Sequence, residues 1–318
     1  MNEKAINTIS KDSNRILVTQ GDPKGIGLEV FFKSFILLSD RDAGFITLFA
    51  GKSACKDTLT SIDVPFEINN DHIKILNRKL TVKWCANTTI HAFETAIDDL
   101  NPGDVIFTLP ATKDSFPKGS PGHTTYLRNK FERELTMFFH SPKVKIALLT
   151  DHIPVAKVQD FISSDSIKIH TQNSLIGLKT FFDHKINRVL FSGINPHAGE
   201  AGLLGNDLDV FEPALNELKV IHSKVKFVGP ISGDIVFNQA NRDDLIIYGS
   251  HDQGLAPFKA MNHFLGANIT FGLDFLRLSV DHGTALDMYG KNKANYMGCL
   301  YCLELALKAL GRYEKNAS

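Results

Sequence analysis

Three histidines at equivalent places in the sequence carry its most distinctive chemistry. His152, His197 and His251 each lie a few residues beyond a short run of aliphatic and β-branched residues that predicts a strand. In open parallel sheets, the loops beyond the carboxyl ends of the strands converge and bind ligands. Three neutral imidazoles suit zinc or another first-row transition ion and leave coordination positions open. The pattern predicts a catalytic divalent-metal site, although a single histidine of this kind is more often structural.

Two glycine-containing segments are candidate ligand loops. Gly21–Glu29 lies between a predicted strand and its helix, but Val30 occupies the place of the third glycine of GxGxxG, so a Rossmann dinucleotide site is not supported. Gly122–Thr125 precedes a predicted helix over residues 126–139. Its free N–H groups and hydroxyls would receive an anion or simply cap the helix, and both interpretations stay open.

A polar set follows the third histidine. Lys259, Asn268 and Arg277 are side chains suited to a carboxylate or a phosphate, although each alone is more often a solvated surface group. Asp281–Thr284 is predicted to open a helix, with Asp281 as its cap or as part of a ligand cleft.

The elements that would position these residues alternate along the chain. Short β-rich runs are followed by longer segments of helical periodicity, which predicts an α/β fold with mainly parallel sheets. The predicted strands are residues 15–19, 44–50, 143–149, 188–192, 225–228 and 245–248, and the predicted helices include 27–38, 207–218 and 294–310.

Composition excludes several classes of protein. The 318 residues carry 35 basic and 35 acidic side chains, so no net field favours nucleic acid or an anionic membrane. The first fifteen residues have no apolar signal segment, and the sequence predicts a cytoplasmic protein with reduced thiols. Cys299 and Cys302 have a CxxC spacing but lie inside a predicted helix, which disfavours redox chemistry.

Five segments together resemble a known family. They are Gly21–Glu29, Thr150–Pro154, Asn195–Glu200, His251–Leu255 and Ser279–Ala285. Their order and content are similar to those of the 4-hydroxythreonine-4-phosphate dehydrogenases of vitamin B6 biosynthesis, and the resemblance extends from about residue 15 to the C-terminal helix.

The resemblance implies a fold and an assembly. It implies two α/β/α domains like those of isocitrate and isopropylmalate dehydrogenases, with mainly parallel sheets and an active-site cleft between the domains. The expected division is residues 1–125 with 285–318 for the first domain and 126–284 for the second. The family also implies a homodimer whose active sites combine residues of both subunits.

The resemblance assigns roles to residues of the matching motifs. It makes His152, His197 and His251 the metal ligands, with one imidazole expected from the partner subunit. It makes five further residues contacts of a small phosphorylated substrate: His123, Thr124, Lys259, Asn268 and Arg277.

The implied reaction is an oxidation with decarboxylation. NAD or NADP takes hydride from the hydroxyl-bearing carbon of 4-phosphooxy-threonine, and the resulting β-keto acid loses CO₂ to give 3-amino-2-oxopropyl phosphate. Zinc is the favoured ion, with Mn, Co and Mg as alternatives, and it would acidify the hydroxyl and stabilise the enolate. Asp234 and Lys113 are the first candidates for the catalytic proton acceptor, followed by Asp252.

Departures from the family pattern leave alternatives open. Lys24, Leu28, Asp151, Ser232-Gly233 and Leu278 differ from the usual residues. They leave room for a paralogue that oxidises a phospho-threonate or a dihydrodiol, and the histidines alone also fit a metal-dependent hydrolase. A non-catalytic binding protein with this fold is a third interpretation. The carboxylate of Asp151 either accepts an imidazole N–H or faces solvent.

Overall fold

A computed structural model describes residues 14–311 and confirms the predicted α/β class. The chain divides into two compact units, the first with the described residues up to Tyr126 and from Asp274 onward, the second with Leu127–Leu273. Strand β13 (Leu276–Val280) belongs to the first unit, whereas the sequence division placed it in the second.

The sheet of the first unit is parallel at its centre and antiparallel at one edge. Its strand order is β13-β6-β1-β2-β5-β4-β3. Strands β13, β6, β1, β2 and β5 run parallel to one another, whereas β4 pairs antiparallel with both β5 and β3. The other strands are β1 (Ile16–Thr19), β2 (Ile46–Ala50), β3 (Phe66–Ile68), β4 (His72–Ile75), β5 (Arg78–Trp84) and β6 (Val105–Thr108).

Helices cover both faces of this sheet. Leu17 and Phe49 pack on α4, and because side chains alternate along a strand, Ile16 and Val18 point to the opposite face, where they are also fully buried. The C-terminal helix packs on β6 and β13. The helices are α1 (Gly27–Phe35), α2 (Asp40–Ala43), α3 (Lys52–Ser61), α4 (Thr89–Asp98) and α11 (Met297–Ala309), and α5 (His123–Phe131) runs across the division between the units.

The second unit has the strand order β10-β9-β11-β8-β7-β12. The four strands β10, β9, β11 and β8 are parallel, while β7 is antiparallel to both β8 and β12. Their bounds are β7 (Thr136–His140), β8 (Lys145–Leu148), β9 (Arg188–Ser192), β10 (Lys226–Ile231), β11 (Leu245–Tyr248) and β12 (Ala267–Phe271).

Alternating phenylalanines show that this sheet is also buried on both faces. Phe139 packs on Phe258 of α10 with ring centroids 5.7 Å apart, whereas Phe138 faces the other side and packs on Phe271 at 4.9 Å. Helix α7 covers β7, β8 and β12 on that side. The helices are α6 (Val158–Phe161), α7 (Ser164–Phe182), α8 (Asp207–Ile221), α9 (Val236–Gln239) and α10 (His251–Asn262).

Two local predictions were wrong. The helix expected over residues 126–139 begins earlier, at His123, and ends at Phe131, because Glu132 adopts a left-handed backbone with φ 51° and the chain turns into β7. No helix opens at Asp281: the segment stays irregular, Ala285 has φ 42°, and the next α-helix begins at Met297. None of the described helices is long and apolar enough to span a membrane.

Candidate functional site

The loops after β8 and β11 bring His152 and His251 together. Because these strands are adjacent and parallel, their carboxyl ends lie side by side. The Oγ1 hydroxyl of Thr150 donates to the carbonyl of Gly249 over 2.7 Å, and the backbone N–H of Thr150 donates to the same oxygen over 3.1 Å. The ring centroids of His152 and His251 are consequently 5.2 Å apart. Two imidazoles thus meet at one edge of the sheet.

His251 is the first residue of α10, and its ring is hydrogen-bonded to the neighbouring carboxylate. Its Nδ1 lies 2.7 Å from Oδ1 of Asp252. A carboxylate accepts but does not donate, so this contact assigns the ring proton to Nδ1 and leaves the Nε2 lone pair for a ligand. His152 is exposed and His251 is half-buried, so a ligand from solvent can reach both rings.

His197 lies on a loop with an unusual backbone. The five residues from His197 to Ala201 all have positive φ, between 43° and 80°, which is the left-handed region. Asp207, at the start of α8, is 1% exposed and anchors the loop: its carboxylate accepts from the N–H groups of Ile194 and Asn195 and from the side-chain amide of Asn195. The loop therefore holds exposed His197 beyond β9 by fixed contacts rather than by burial.

The three histidines do not form one closed ligand set in a single chain. Within residues 14–311, no group of three or more His, Cys, Asp or Glu side chains is arranged to hold a metal ion. The pair of His152 and His251 supplies two accessible nitrogen donors at one edge, and His197 is presented separately after the next strand. This donor set fits two ligands of a transition ion, with further positions to be filled from elsewhere.

Asp151 is held by an ion pair. Its Oδ2 accepts from Nη2 of Arg128 on α5 over 3.1 Å, and the two side chains are 20% and 28% exposed. Arg128 also donates to the carbonyl of Leu135 over 3.4 Å. The residue before His152 is thus tethered to the end of α5.

In the first unit, Arg277 and His123 form a desolvated polar pair. Arg277, on β13, is 3% exposed, and its Nε and Nη2 donate to the hydroxyl of Thr108 over 3.1 and 2.7 Å. Burial lowers the pKa of Arg277 to about 10, so the guanidinium stays charged at neutral pH. Burial, and then the charge of Arg277, lower the pKa of His123 well below its usual value, so this imidazole is neutral.

The ring of His123 is enclosed by aromatic side chains. Phe93 and Phe116 pack edge-on against it, with ring centroids 4.8 and 4.7 Å away. Among the described residues, its buried Nε2 has no hydrogen-bond partner. A buried polar atom left without a partner is costly, so a ligand atom at this place would be stabilising.

The remaining predicted substrate contacts lie on different elements. Thr124 is the second residue of α5 and is half-buried, and Lys259 is exposed on α10. Asn268 is half-buried on β12, and its Oδ1 is a buried atom without a hydrogen-bond partner in the described part of the chain. Thr124 belongs to the first unit, whereas Lys259 and Asn268 belong to the second.

The two leading candidates for the proton acceptor differ in setting. Asp234 is exposed and follows β10, and its pKa is lowered, mainly by a hydrogen bond from the hydroxyl of Ser232. Asp234 is therefore an ionised acceptor in the unit that carries the histidines. Lys113 lies exposed on the 3₁₀ turn Lys113–Ser115 of the other unit.

Several features of the site were not predicted from the sequence. Gln253 links two of the loops that carry the histidines, and in the sequence only its position two residues after His251 indicates such a role. A cavity of about 460 Å³ lies in the second unit beside Arg128, Asp151 and His170. His170 is buried, and its Nδ1 lies 2.9 Å from the hydroxyl of Thr136. A polar group inside a helix of mixed pattern gives no periodic signal in the sequence.

Comparisons with known proteins identify the family of this chain. The family model described as pyridoxal phosphate biosynthetic protein PdxA matches residues 48–306. The chain is 36% identical to 4-hydroxythreonine-4-phosphate dehydrogenase of Aquifex aeolicus, over 92% of this chain and 97% of that protein. It is 28% identical to D-threonate 4-phosphate dehydrogenase of Pectobacterium atrosepticum, over 93% and 99%.

A solved structure has the same fold. The crystal structure of 4-hydroxythreonine-4-phosphate dehydrogenase from Klebsiella pneumoniae matches with a TM-score of 0.76 and 25% identity, covering 93% of this chain and 99% of that one. The fold and the groups at its strand ends define an α/β protein of two units, with a pair of imidazoles at adjacent strand ends and a buried arginine. The chain belongs to the PdxA family, which confirms the resemblance drawn from its motifs.

Proposed function

We propose that this chain is a divalent-metal-dependent 4-hydroxythreonine-4-phosphate dehydrogenase that uses NAD or NADP in pyridoxal 5'-phosphate biosynthesis. The observation that carries the proposal is the pair of His152 and His251, joined at adjacent strand ends in a member of this family. The substrate is 4-phosphooxy-L-threonine, and the products are 3-amino-2-oxopropyl phosphate, CO₂ and reduced nicotinamide.

The proposed substrate contacts have the chemistry that an anionic substrate needs. Arg277 offers a desolvated guanidinium, which binds a phosphate or a carboxylate more strongly than a solvated cation does. The neutral imidazole of His123 adds a hydrogen bond through its buried Nε2. Thr124, Lys259 and Asn268 complete the proposed set of substrate contacts. The buried Oδ1 of Asn268 is suited to accept from an ammonium or hydroxyl group.

The ion would be held by His152 and His251 of one subunit together with the third imidazole, His197, supplied by a second copy. Support comes from the accessible pair within one chain and from the separate, rigid presentation of His197. Zinc is the favoured ion, with Mn, Co and Mg as alternatives. Such an ion would acidify the substrate hydroxyl and stabilise the enolate left by decarboxylation. The assembly is a homodimer with isologous contacts.

The oxidation step separates a hydride from a proton. The hydride leaves the hydroxyl-bearing carbon for the nicotinamide, and the hydroxyl proton passes to Asp234 or Lys113. The C–C bond to the carboxylate of the resulting β-keto acid then breaks, CO₂ departs, and the enolate carbon takes up one proton. Asp234 is the first candidate, because an exposed carboxylate is a proton acceptor at neutral pH. The biosynthetic role favours a cytoplasmic location.

Two substrates decide between the proposal and its nearest rival. The relative from Pectobacterium acts, by its name, on D-threonate 4-phosphate, which bears an α-hydroxyl in place of the α-amino group. Purified protein supplied with metal and either NAD or NADP is expected to reduce nicotinamide faster, in kcat/KM, with 4-phosphooxy-L-threonine. A higher kcat/KM for D-threonate 4-phosphate would move the chain to that second function.

A further inference from the structure

The side-chain amide of Gln253 joins two of the histidine-bearing loops. Gln253 lies in α10, two residues after His251. Its Oε1 accepts from the backbone N–H of Gly249 over 3.1 Å. Its Nε2 donates to the hydroxyl of Ser192 over 3.1 Å and to the carbonyl of Gly193 over 2.8 Å. The amide therefore spans from the end of β11 to the end of β9, beyond the last paired residues of the two strands.

Through Gly249, the hydrogen bonds of Gln253 also connect to the loop that carries His152. The carbonyl of Gly249 accepts two bonds from Thr150, which lies two residues before His152. Gly193 lies four residues before His197, and a Cβ built on it would be 2.7 Å from Cα of Ala198. The loop of His197 thus folds tightly back on the residue that Gln253 binds.

The same amide abuts the segment that carries the proposed proton acceptor. The N–H of Gly193 donates to the carbonyl of Ile231 over 2.7 Å, at the end of β10. A Cβ at Gly233 would lie 3.1 Å from Nε2 of Gln253, so the amide sits directly against the backbone that precedes Asp234. Glycine at this position leaves the space that the amide needs.

We propose that Gln253 is a positioning residue that holds the loop of His251 and the loop of His197 in fixed positions within each subunit. This inference rests on the proposed metal-dependent function. Its physical basis is that a neutral amide both donates and accepts, so one side chain satisfies an N–H on one strand end and two oxygens on another. In the proposed dimer each subunit gives its pair, His152 with His251, to one site and its His197 to the other, so one amide would hold ligands of both sites.

Two substitutions of Gln253 separate its contacts. Gln253→Met keeps the length and removes all three hydrogen bonds, while Gln253→Glu keeps the acceptor and sets a carboxylate against two oxygen atoms. We expect zinc or cobalt to dissociate about 10- to 100-fold more readily from both variants in chelator competition, as is typical when groups behind metal ligands are removed. The value of kcat should fall with metal affinity, while KM for the phosphorylated substrate should change less than about threefold, because its phosphate contacts are elsewhere.

The chain supplies a matched control for a purely structural role. Gln20, in the first unit, makes the same kind of strand-end bridge: its Oε1 accepts from Gly51 N–H over 2.8 Å, and its Nε2 lies 3.5 Å from Oδ1 of Asn87. Gln20→Met is expected to lower the melting temperature without changing the zinc dissociation constant. Ser192→Ala removes one acceptor and should weaken zinc binding only a few-fold, and it serves as the test if Gln253→Met does not fold.

The outcomes distinguish this inference from the function on which it rests. Wild-type protein that binds no divalent ion would overturn both. Wild-type protein that binds zinc, with Gln253→Glu and Ser192→Ala binding it equally tightly, would overturn the role of Gln253 and leave the proposed function standing. The role of Gln253 would also be overturned if Gln20→Met weakened zinc binding as much as Gln253→Met does.

Discussion

The polar groups of the two units are prepared for ligands in opposite ways. In the first unit, Arg277 and His123 are 3% and 8% exposed, and burial shifts the pKa of both downwards. In the second unit, His152 and His197 are exposed and His251 is half-buried. In the first unit the candidate binding groups are already buried without a ligand. In the second unit the imidazole donors are accessible to solvent, and hydrogen bonds fix the loops that carry them.

The two units differ in how much folding free energy their candidate binding groups cost. A buried guanidinium with a lowered pKa is unfavourable for folding, so Arg277 is expected to be retained for a ligand rather than for stability. Solvent-accessible histidines cost little free energy of folding. Their positions are fixed by Thr150, Gln253 and Asp207, whose side chains hydrogen-bond to backbone atoms of the loops. Substitutions in the two units should therefore change ligand binding and the free energy of unfolding in different proportions.

The largest effect is expected from the solvent-accessible histidines of the second unit. His251→Ala should lower kcat about a thousandfold, because a metal ion contributes several kcal/mol to the transition state. The free energy of unfolding without metal should change by less than about 0.5 kcal/mol, as for other surface substitutions. Metal analysis and chemical denaturation measure the two quantities. His263→Asn, at the other end of α10, is the control and should alter neither.

The buried arginine should show a smaller functional effect. Arg277→Met is expected to raise KM for the phosphorylated substrate about 100-fold through loss of a charge-assisted pair. The unfolding free energy should fall by no more than about 1 kcal/mol, because the desolvated charge is also removed. The matched control is Arg188→Met, which breaks an ion pair with Asp244 and should reduce stability without changing KM. An unchanged KM for Arg277→Met would remove Arg277 from the substrate site.

Burial in the second unit predicts a pH effect on stability. Burial, and less strongly the charge of Arg128, lower the pKa of His170 to about 4. As the pH falls below about 6.5, His170 of the unfolded chain takes up a proton while the folded chain does not, so stability is lost between pH 6.5 and about 4. The loss should be about 3 kcal/mol. Denaturant titrations of His170→Gln over this range should show a flatter profile, and an equally steep one would contradict the assignment.

The smallest effect is expected from the ion pair that tethers Asp151. Asp151→Asn should reduce the unfolding free energy by less than about 1 kcal/mol, since both partners are partly exposed. It should also weaken metal binding a few-fold, because Asp151 immediately precedes His152. Lys168→Met, which removes a surface pair with Glu217, is the control for stability alone. Weakened metal binding in that control would contradict a local role for Asp151.

The sequence predicted the parallel strands at the centre of the fold better than the remaining elements. Strands β9 and β11 have the predicted bounds, because continuous apolar runs between turn residues mark buried parallel strands. The helix expected over residues 126–139 failed because its second half, Thr136–His140, is largely apolar and is equally compatible with a strand buried on both faces. The helix ends before Glu132, whose backbone is left-handed. Because this residue is not a glycine, the sequence does not indicate the turn.

The candidate site was predictable only in part, for a physical reason. Residue type and strand-end position indicated the histidines, and the structure brings His152 and His251 together as adjacent parallel strands require. The role of Gln253 depends on which strand ends are neighbours in space, since β9 and β11 are far apart in the chain. The burial of Arg277 depends likewise on packing around β13, which an isolated arginine in a sequence does not reveal.

The most direct test of the central claim measures carbon dioxide and reduced nicotinamide together. Purified protein, a divalent ion, NAD or NADP and 4-phosphooxy-L-threonine labelled in its carboxylate should release one labelled CO₂ for each nicotinamide reduced. A chelator should abolish both products, and added zinc should restore them in the same ratio. Undiminished oxidation without metal, or release of phosphate without reduced nicotinamide, would contradict the account.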